Sequence, residues 1–215
     1  MKKIHIVECS VAVALVVSVI SSIFGFAAEC SKIRDEVVRL HILANSDTQE
    51  DQNIKLKIRD VLLNSGEKLF SGETDRENAE KILNENRADI INVINKVLDE
   101  NGFGYSADMY LTDEYFETRE YDGFIMPAGR YKALKIILGE GKGHNWWCVM
   151  FPPLCLPAAK QKENMDMFFT QEGTELITNQ DKYIMKIKII EIIEGIKKEI
   201  ADKMNKTERE NRYNY

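Results

Sequence analysis

Between Glu8 and Glu29 lie twenty residues without a charge, CSVAVALVVSVISSIFGFAA, Cys9 to Ala28, preceded by Lys2 and Lys3. A segment of that length matches the roughly 20 apolar residues that cross a bilayer. A short basic start, an apolar run and small residues at its end equally describe an export signal. Two outcomes stay open for residues 1–28: a cleaved signal peptide or a retained membrane anchor. Small residues are available for a cut, but Ala28 carries Phe26 at its minus-three position, which suits cleavage poorly. Cys9 and Cys30 each follow a Glu, so neither sits in a convincing lipobox.

Charge narrows the partners. Without residues 1–28 the chain keeps 27 basic and 34 acidic residues, a formal charge of −7. That balance argues against general nucleic-acid or anionic-membrane binding, which need a basic face. Beyond the membrane, disulfides among Cys30, Cys148 and Cys155 can persist.

The rest of the 215 residues is long enough for a single core and shows no repeat or low-complexity tract. Residues 29–36 read as a short juxtamembrane connection. Val37 to Ala44, VVRLHILA, predicts a strand with Val38, Leu40, Ile42 and Ala44 on one face and Arg39 and His41 on the other. NSDTQEDQ follows, with Ser46–Gln49 and Thr48–Asp51 spaced for capping a helix that carries Ile54, Ile58, Val61 and Leu62. A second helix is expected from Thr74 to about Asp99, with Gly102 past its end. Alternation predicts strands at YSADMYLT and YKALKIILG, and the GEGKG turn returns the chain into NWWCVMF, which Pro152-Pro153 terminates. Asn164 to Thr178 reads as partly helical or loop, 181–204 as a helix, and 205–215 as a fraying polar tail. The expected fold is α+β: a small, mainly antiparallel sheet packed with helices, one domain over 37–204, behind the hydrophobic export segment.

The stretch GHNWWCVMFPPLC concentrates the chemistry. A nucleophilic Cys148 needs a base within hydrogen-bond reach. In an extended strand His144 would share its face but lie about 13 Å away, leaving His41 as the other candidate. A disulfide between Cys148 and Cys155 across Phe-Pro-Pro-Leu is the favoured alternative, and two buried thiols a further one. GEGKG lacks Walker spacing and leads into a strand, so it is read as a tight turn. The histidines and acids show no metal-ligand spacing. No catalytic residue, metal, cofactor or small-molecule substrate is expected. Trp146 and Trp147 are neighbours, so a strand sends them to opposite faces. One of them is free to anchor a partner.

RLHILANSDTQEDQNIKLKIRD, Arg39 to Asp60, is similar to the first signature of the stage II sporulation protein R family. GRYKALKIILGEGKGHNWWCVMFPPLC, Gly129 to Cys155, resembles the second. Gln49 stands where the family commonly has proline, and residues after Ala159 are less recognisable. The resemblance implies an exported forespore protein, acting between the forespore and mother-cell membranes. There it would switch on a mother-cell membrane aspartic protease, stage II sporulation protein GA, which removes the pro-sequence of sigma-E.

On that reading the chain is a ligand without catalysis of its own. Its partner-binding residues would be drawn from Arg39, His41, Asn45, Asp47, Lys55, Arg59, Trp146 and Trp147, although a merely capped and solvated helix start explains the first block as simply. The runner-up is an extracytoplasmic enzyme, a cysteine peptidase or cell-wall hydrolase using Cys148. A third reading is an envelope protein that needs only its anchor.

Overall fold

The computed structural model describes residues 2–73, 75–155 and 165–213. Helix α1, Lys2–Asp35, contains the apolar run, and only 6% of its most apolar window is buried. Strand β1, Val38–Leu43, is followed by α2, Gln49–Leu69, α3, Arg76–Glu85, and α4, Arg87–Glu100. Next come β2, Ala107–Phe116, the short β3, Arg119–Tyr121, and β4, Phe124–Met126. Then β5, Gly129–Leu138, and β6, Asn145–Phe151, lead to α5, Gln171–Thr178, and α6, Gln180–Tyr213.

The main sheet has the order β2-β5-β1-β6, and β3 and β4 form a separate pair. β5 is antiparallel to β2, and β6 is antiparallel to β1. β1 and β5 run parallel, Val38 opposite Lys132 and Ile42 opposite Ile136. The long connection between them, through α2 to α4 and then β2 to β4, allows that pair, because parallel neighbours need a long return connection. The chain is α+β, with a mostly antiparallel sheet, as its sequence indicates.

Both faces of the sheet are covered. Val38, Leu40 and Ile42 of β1 pack with Ile54, Ile58 and Leu62 of α2 and with Leu83, Ile94 and Leu98 of α3 and α4. The opposite face carries a second core. Phe26, Cys30 and Ile33 of α1 meet Tyr131, Ala133 and Val149 of the sheet, Leu176 and Ile177 of α5, and Ile187 and Ile190 of α6. This corrects two expectations. Residues 29–35 are not a connection but the last turns of α1, because Phe26, Cys30 and Ile33 recur at helical spacing and are buried. And the strand face bearing Arg39 and His41 does not meet water, since the second layer lies over it: Arg39 is 0% exposed and His41 3%.

Smaller departures have local causes. Thr48 caps α2, its side chain accepting from Asp51 N–H, as the spacing predicts. The helix expected from Thr74 to Asp99 is two. Asn86 closes α3, its backbone N–H and its side-chain amide both donating to the Ile82 carbonyl, at 3.0 and 2.9 Å, and α4 restarts beyond it. Asp75 caps α3 by accepting from Glu77 N–H, and Thr74 lies outside the described residues. Gly102, at φ +80°, follows the end of α4 as expected. α6 continues to Tyr213 through the polar tail expected to fray. Of the stretch 164–178, residues 165–168 and 171–178 are helical, as the partly helical reading allows, and 156–164 lie outside the described residues.

Candidate partner-binding surface

The two sequence blocks meet where β1 and β5, being parallel, end side by side. Asn45 ties them together. Its Oδ1 accepts from Glu140 N–H at 2.9 Å, and its Nδ2 donates to Asp51 Oδ2 at 2.8 Å. Gly143 N–H donates to Ala44 O at 2.9 Å and Lys142 N–H to Asn45 O at 3.1 Å. The glycines of GEGKG serve this approach: Gly139 and Gly141 have φ +55° and +63°, and a Cβ on Gly143 would sit 2.1 Å from Ser46 O.

Beneath this junction, at the start of α2, Asp51 is buried and accepts from Ser46 Oγ at 2.5 Å, Asn45 Nδ2 and Tyr105 OH at 2.5 Å. Burial opposes its ionisation, but the hydrogen bonds from Ser46, Tyr105 and Asn45 outweigh it and hold the carboxyl below its usual range. Burial and the adjacent carboxylate push the Tyr105 phenol up. Lys55, also buried, donates to Gln52 Oε1 at 2.5 Å and His144 O at 2.8 Å, and burial lowers its pKa. Asp47 is exposed and accepts from the His144 backbone N–H at 2.6 Å, the main reason its pKa falls, and from the His144 ring. Thus Asn45, half-buried, and Lys55, buried, lock the first block to the second, and Asp47 is the most exposed of the three.

Glu114 on β2 is likewise held below its usual range: burial opposes this, but bonds from His41 and Lys135 prevail. A carboxyl depressed in the folded state contributes stability in full above its unfolded pKa, about 3.9 for Asp and 4.3 for Glu, and loses it as pH falls through the folded value. Stability is therefore expected to be flat above about pH 5 and to decline below it. Asp51→Asn leaves Asn45, Ser46 and Tyr105 competing for fewer acceptors. It should lower stability at pH 7 by about 1–3 kcal/mol and reduce the acid decline. Chemical denaturation from pH 7 to pH 3 measures both effects, and an unchanged acid limb in the variant would show that Asp51 does not carry it.

On the second-core face, Arg39 and His41 are interior groups. Arg39 Nε donates to Cys148 O at 3.0 Å and Nη2 to Tyr121 OH at 2.6 Å, while Phe116 and Tyr131 take its guanidinium at 4.4 and 4.9 Å from their ring centres. These rings replace the carboxylate that usually accompanies a buried arginine. His41 Nδ1 donates to Glu114 Oε2 at 2.7 Å, Nε2 lies 3.0 Å from Asn145 Oδ1, and the ring stacks on Trp147 at 3.6 Å.

The tryptophans do face opposite sides. Trp146 packs against the α2 core under Arg59, whose Cζ is 4.4 Å from its ring centre and whose Nε donates to Asp60 at 2.8 Å. Trp147, half-buried, forms the floor of a cleft of about 310 Å³ with Phe116 and Asn145. Arg119 lies 5.8 Å from the Trp147 ring centre, Lys198 of α6 is 4.9 Å from that of Tyr115, and Glu117 adds one carboxylate to the same lining. Arg119 and Lys198 are not legible as site residues in the sequence, because only the fold brings β3 and α6 beside β6, and Asn145 is placed only by its 3.0 Å contact with His41.

Cys148 and Cys155 are joined by a disulfide. Cys148 pairs across from Leu40 on the α2 face, whereas His41 and Trp147 lie on the other, so His41 does not face that sulfur. The geometry thus defines an α+β protein with an N-terminal apolar helix, in which the more distinctive sequence blocks build a rigid junction beside an aromatic, cation-rimmed cleft. The sequence model of the family described as stage II sporulation protein R matches residues 34–161, more than half of the chain, and the chain belongs to that family. It is 34% identical over 140 residues to stage II sporulation protein R of Bacillus subtilis (strain 168), a match covering 62% of each chain. The chain therefore aligns with under two thirds of that relative's length. No solved structure matches.

Proposed function

We propose that this chain is an exported sporulation ligand without catalysis of its own. It would stand between the forespore and mother-cell membranes, held there by α1. It would dock on the outer side of a membrane aspartic protease of the stage II sporulation protein GA type and so start removal of the pro-sequence of sigma-E. Family membership supports the sporulation setting, and the nearly unburied apolar helix supports export or anchoring. The observation that favours a ligand over a cysteine enzyme is the NWWC segment itself. It commits Cys148 to a disulfide and presents Trp147 in a cleft lined by two cations, Arg119 and Lys198, and one carboxylate, Glu117. Tryptophan and arginine are the side chains most enriched among binding hot spots. To switch the protease, the ligand must bind its active state more tightly, and each tenfold preference requires about 1.4 kcal/mol.

The test is co-expression with the protease and pro-sigma-E in a host that does not sporulate, scoring pro-sequence removal. Processing is expected to require this chain and to survive the paired change Cys148→Ser with Cys155→Ser in protein that still folds. Processing without the chain would sink the ligand reading. Loss on replacing the cysteines, in a variant that still folds and is recovered with the protease, would restore the enzyme reading.

A further inference from the structure

The final turns of α1 lie along the beginning of α6. The Phe26 and Tyr183 rings meet at 5.6 Å, Cys30 and Ile33 are buried in one cluster with Ile187 and Ile190, and Arg34 pairs with Glu194 at 3.7 Å. Partner numbers rise together on both helices, so α6 starts beside the apolar run and leads away from it. The long Lys186 side chain reaches back, donating to Ser22 Oγ at 3.0 Å with its ammonium 5.6 Å from the Phe26 ring centre.

Height along α1 turns these contacts into a position relative to lipid. At 1.5 Å per residue the twenty uncharged residues measure about 30 Å, the full hydrocarbon thickness, with none to spare. Phe26 is within about 5 Å of the upper end of that run, and Ser22 about 10 Å below it. A bilayer spanned by α1 therefore reaches the first two turns of α6.

Apart from the exposed Asp181 and Lys182 in the first turn of α6, the side chains at that level suit such a place. Phe24 is 71% exposed, Ile184 53% and Met185 73%. In water these apolar surfaces lie bare at the end of the body where the apolar helix emerges, and in lipid they are covered. Tyr183 is a side-chain type found at the headgroup boundary, and Lys186, its ammonium held by Ser22 and the Phe26 ring, adds its long apolar stem. Lys182 is paired with Glu175 at 2.5 Å, so the surface does not require anionic lipid.

We infer that the body is not tethered above the membrane but seated in it. The first two turns of α6, through Tyr183, Ile184 and Met185, enter the boundary between headgroups and acyl chains beside Phe24 and Phe26. The inference rests on the reading of α1 as a retained anchor. Because α1 is packed into the core through Cys30 and Ile33, helix and body form one piece, and the cleft has a fixed height. Lys198, on its rim, is fifteen residues beyond Tyr183 on the same helix, about 22 Å along its axis. A membrane-bound partner must reach that height.

Nitroxide labels on the full chain in phosphatidylcholine vesicles test the seat. Single cysteines would be placed by Val16→Cys, Met185→Cys and Ile200→Cys, each with Cys9→Ser. All three sites are exposed, and Cys30 is buried. Collision with lipid-soluble oxygen and with a water-soluble nickel chelate then reports depth. Labels at 16 and 185 should meet the chelate roughly tenfold less often than the label at 200. Equal chelate access at 185 and 200, with 16 still protected, would leave the anchor standing and overturn the seat. Chelate access at 16 would remove the anchor and the seat together.

Discussion

Replacing Gly143 with alanine is expected to lower stability by about 3 kcal/mol, read as a fall of roughly 6–12 °C in Tm. The backbone at Gly143 is not in the left-handed region, so conformational freedom is not its reason for being glycine. The added methyl would stand 2.1 Å from Ser46 O and 3.0 Å from Ala44 Cβ. The nearer atom is backbone and cannot rotate away. Relief would require the turn after β5 to lift from the end of β1. That would break the Gly143–Ala44 and Lys142–Asn45 bonds and withdraw His144 O from the buried Lys55. Gly104→Ala is the control. It has ordinary φ and open space around it, and should stay within about 0.5 kcal/mol of the wild type. If both variants unfold alike, the junction of the two blocks does not lock the fold.

That junction explains what the sequence could and could not disclose. Capping at Thr48 and the opposed tryptophans follow from local spacing, and both are found where the pattern puts them. The alternation in β1 correctly grouped Val38, Leu40 and Ile42, yet alternation states which residues share a face and not what covers it. Arg39 and His41 look like a solvent face because their partners are remote in sequence: Phe116, Tyr121 and Tyr131 for the guanidinium, Glu114 and Asn145 for the imidazole. The parallel pairing of β1 with β5 was equally hidden, since nothing local marks it. The break at Asn86 escaped for a different reason. No glycine or proline signals it, and a side-chain amide turned back on the Ile82 carbonyl is visible only in three dimensions. Of the residues expected to meet a partner, Asn45, Lys55, Arg39 and His41 are largely occupied with holding the fold. Trp147 lies at a cleft whose cations come from elsewhere in the chain, and Trp146 and Arg59 line another of about 300 Å³ on the opposite face.

Those cations allow the ligand reading to be tested without disturbing the core. Changing Arg119→Glu together with Lys198→Glu should reduce pro-sequence removal in the reconstituted host at least roughly tenfold, equivalent to about 1.4 kcal/mol of lost binding. Both residues are exposed, and each gives up one ring contact, Arg119 with Trp147 and Lys198 with Tyr115. Such contacts at exposed sites are worth about 0.5–1 kcal/mol each, so the fold should persist with stability lowered by less than about 2 kcal/mol. Trp147→Ala would be a less clean probe. Its ring is stacked on His41 and set edge-on against Phe116, so truncation would open the core as well as the cleft. A matched control, Lys81→Glu with Lys96→Glu, makes the same charge change on α3 and α4. There the lysine side chains are 71% and 76% exposed and their pairs with Glu85 and Glu100 span 3.9 Å. Net charge changes identically in the two double variants, so a general electrostatic effect would reduce processing in both. Loss confined to the Arg119 and Lys198 pair, with the folded variant no longer recovered with the protease from membranes, locates docking at the Trp147 cleft. Wild-type processing by that variant would exclude the cleft as the docking surface, whatever the family membership of the chain.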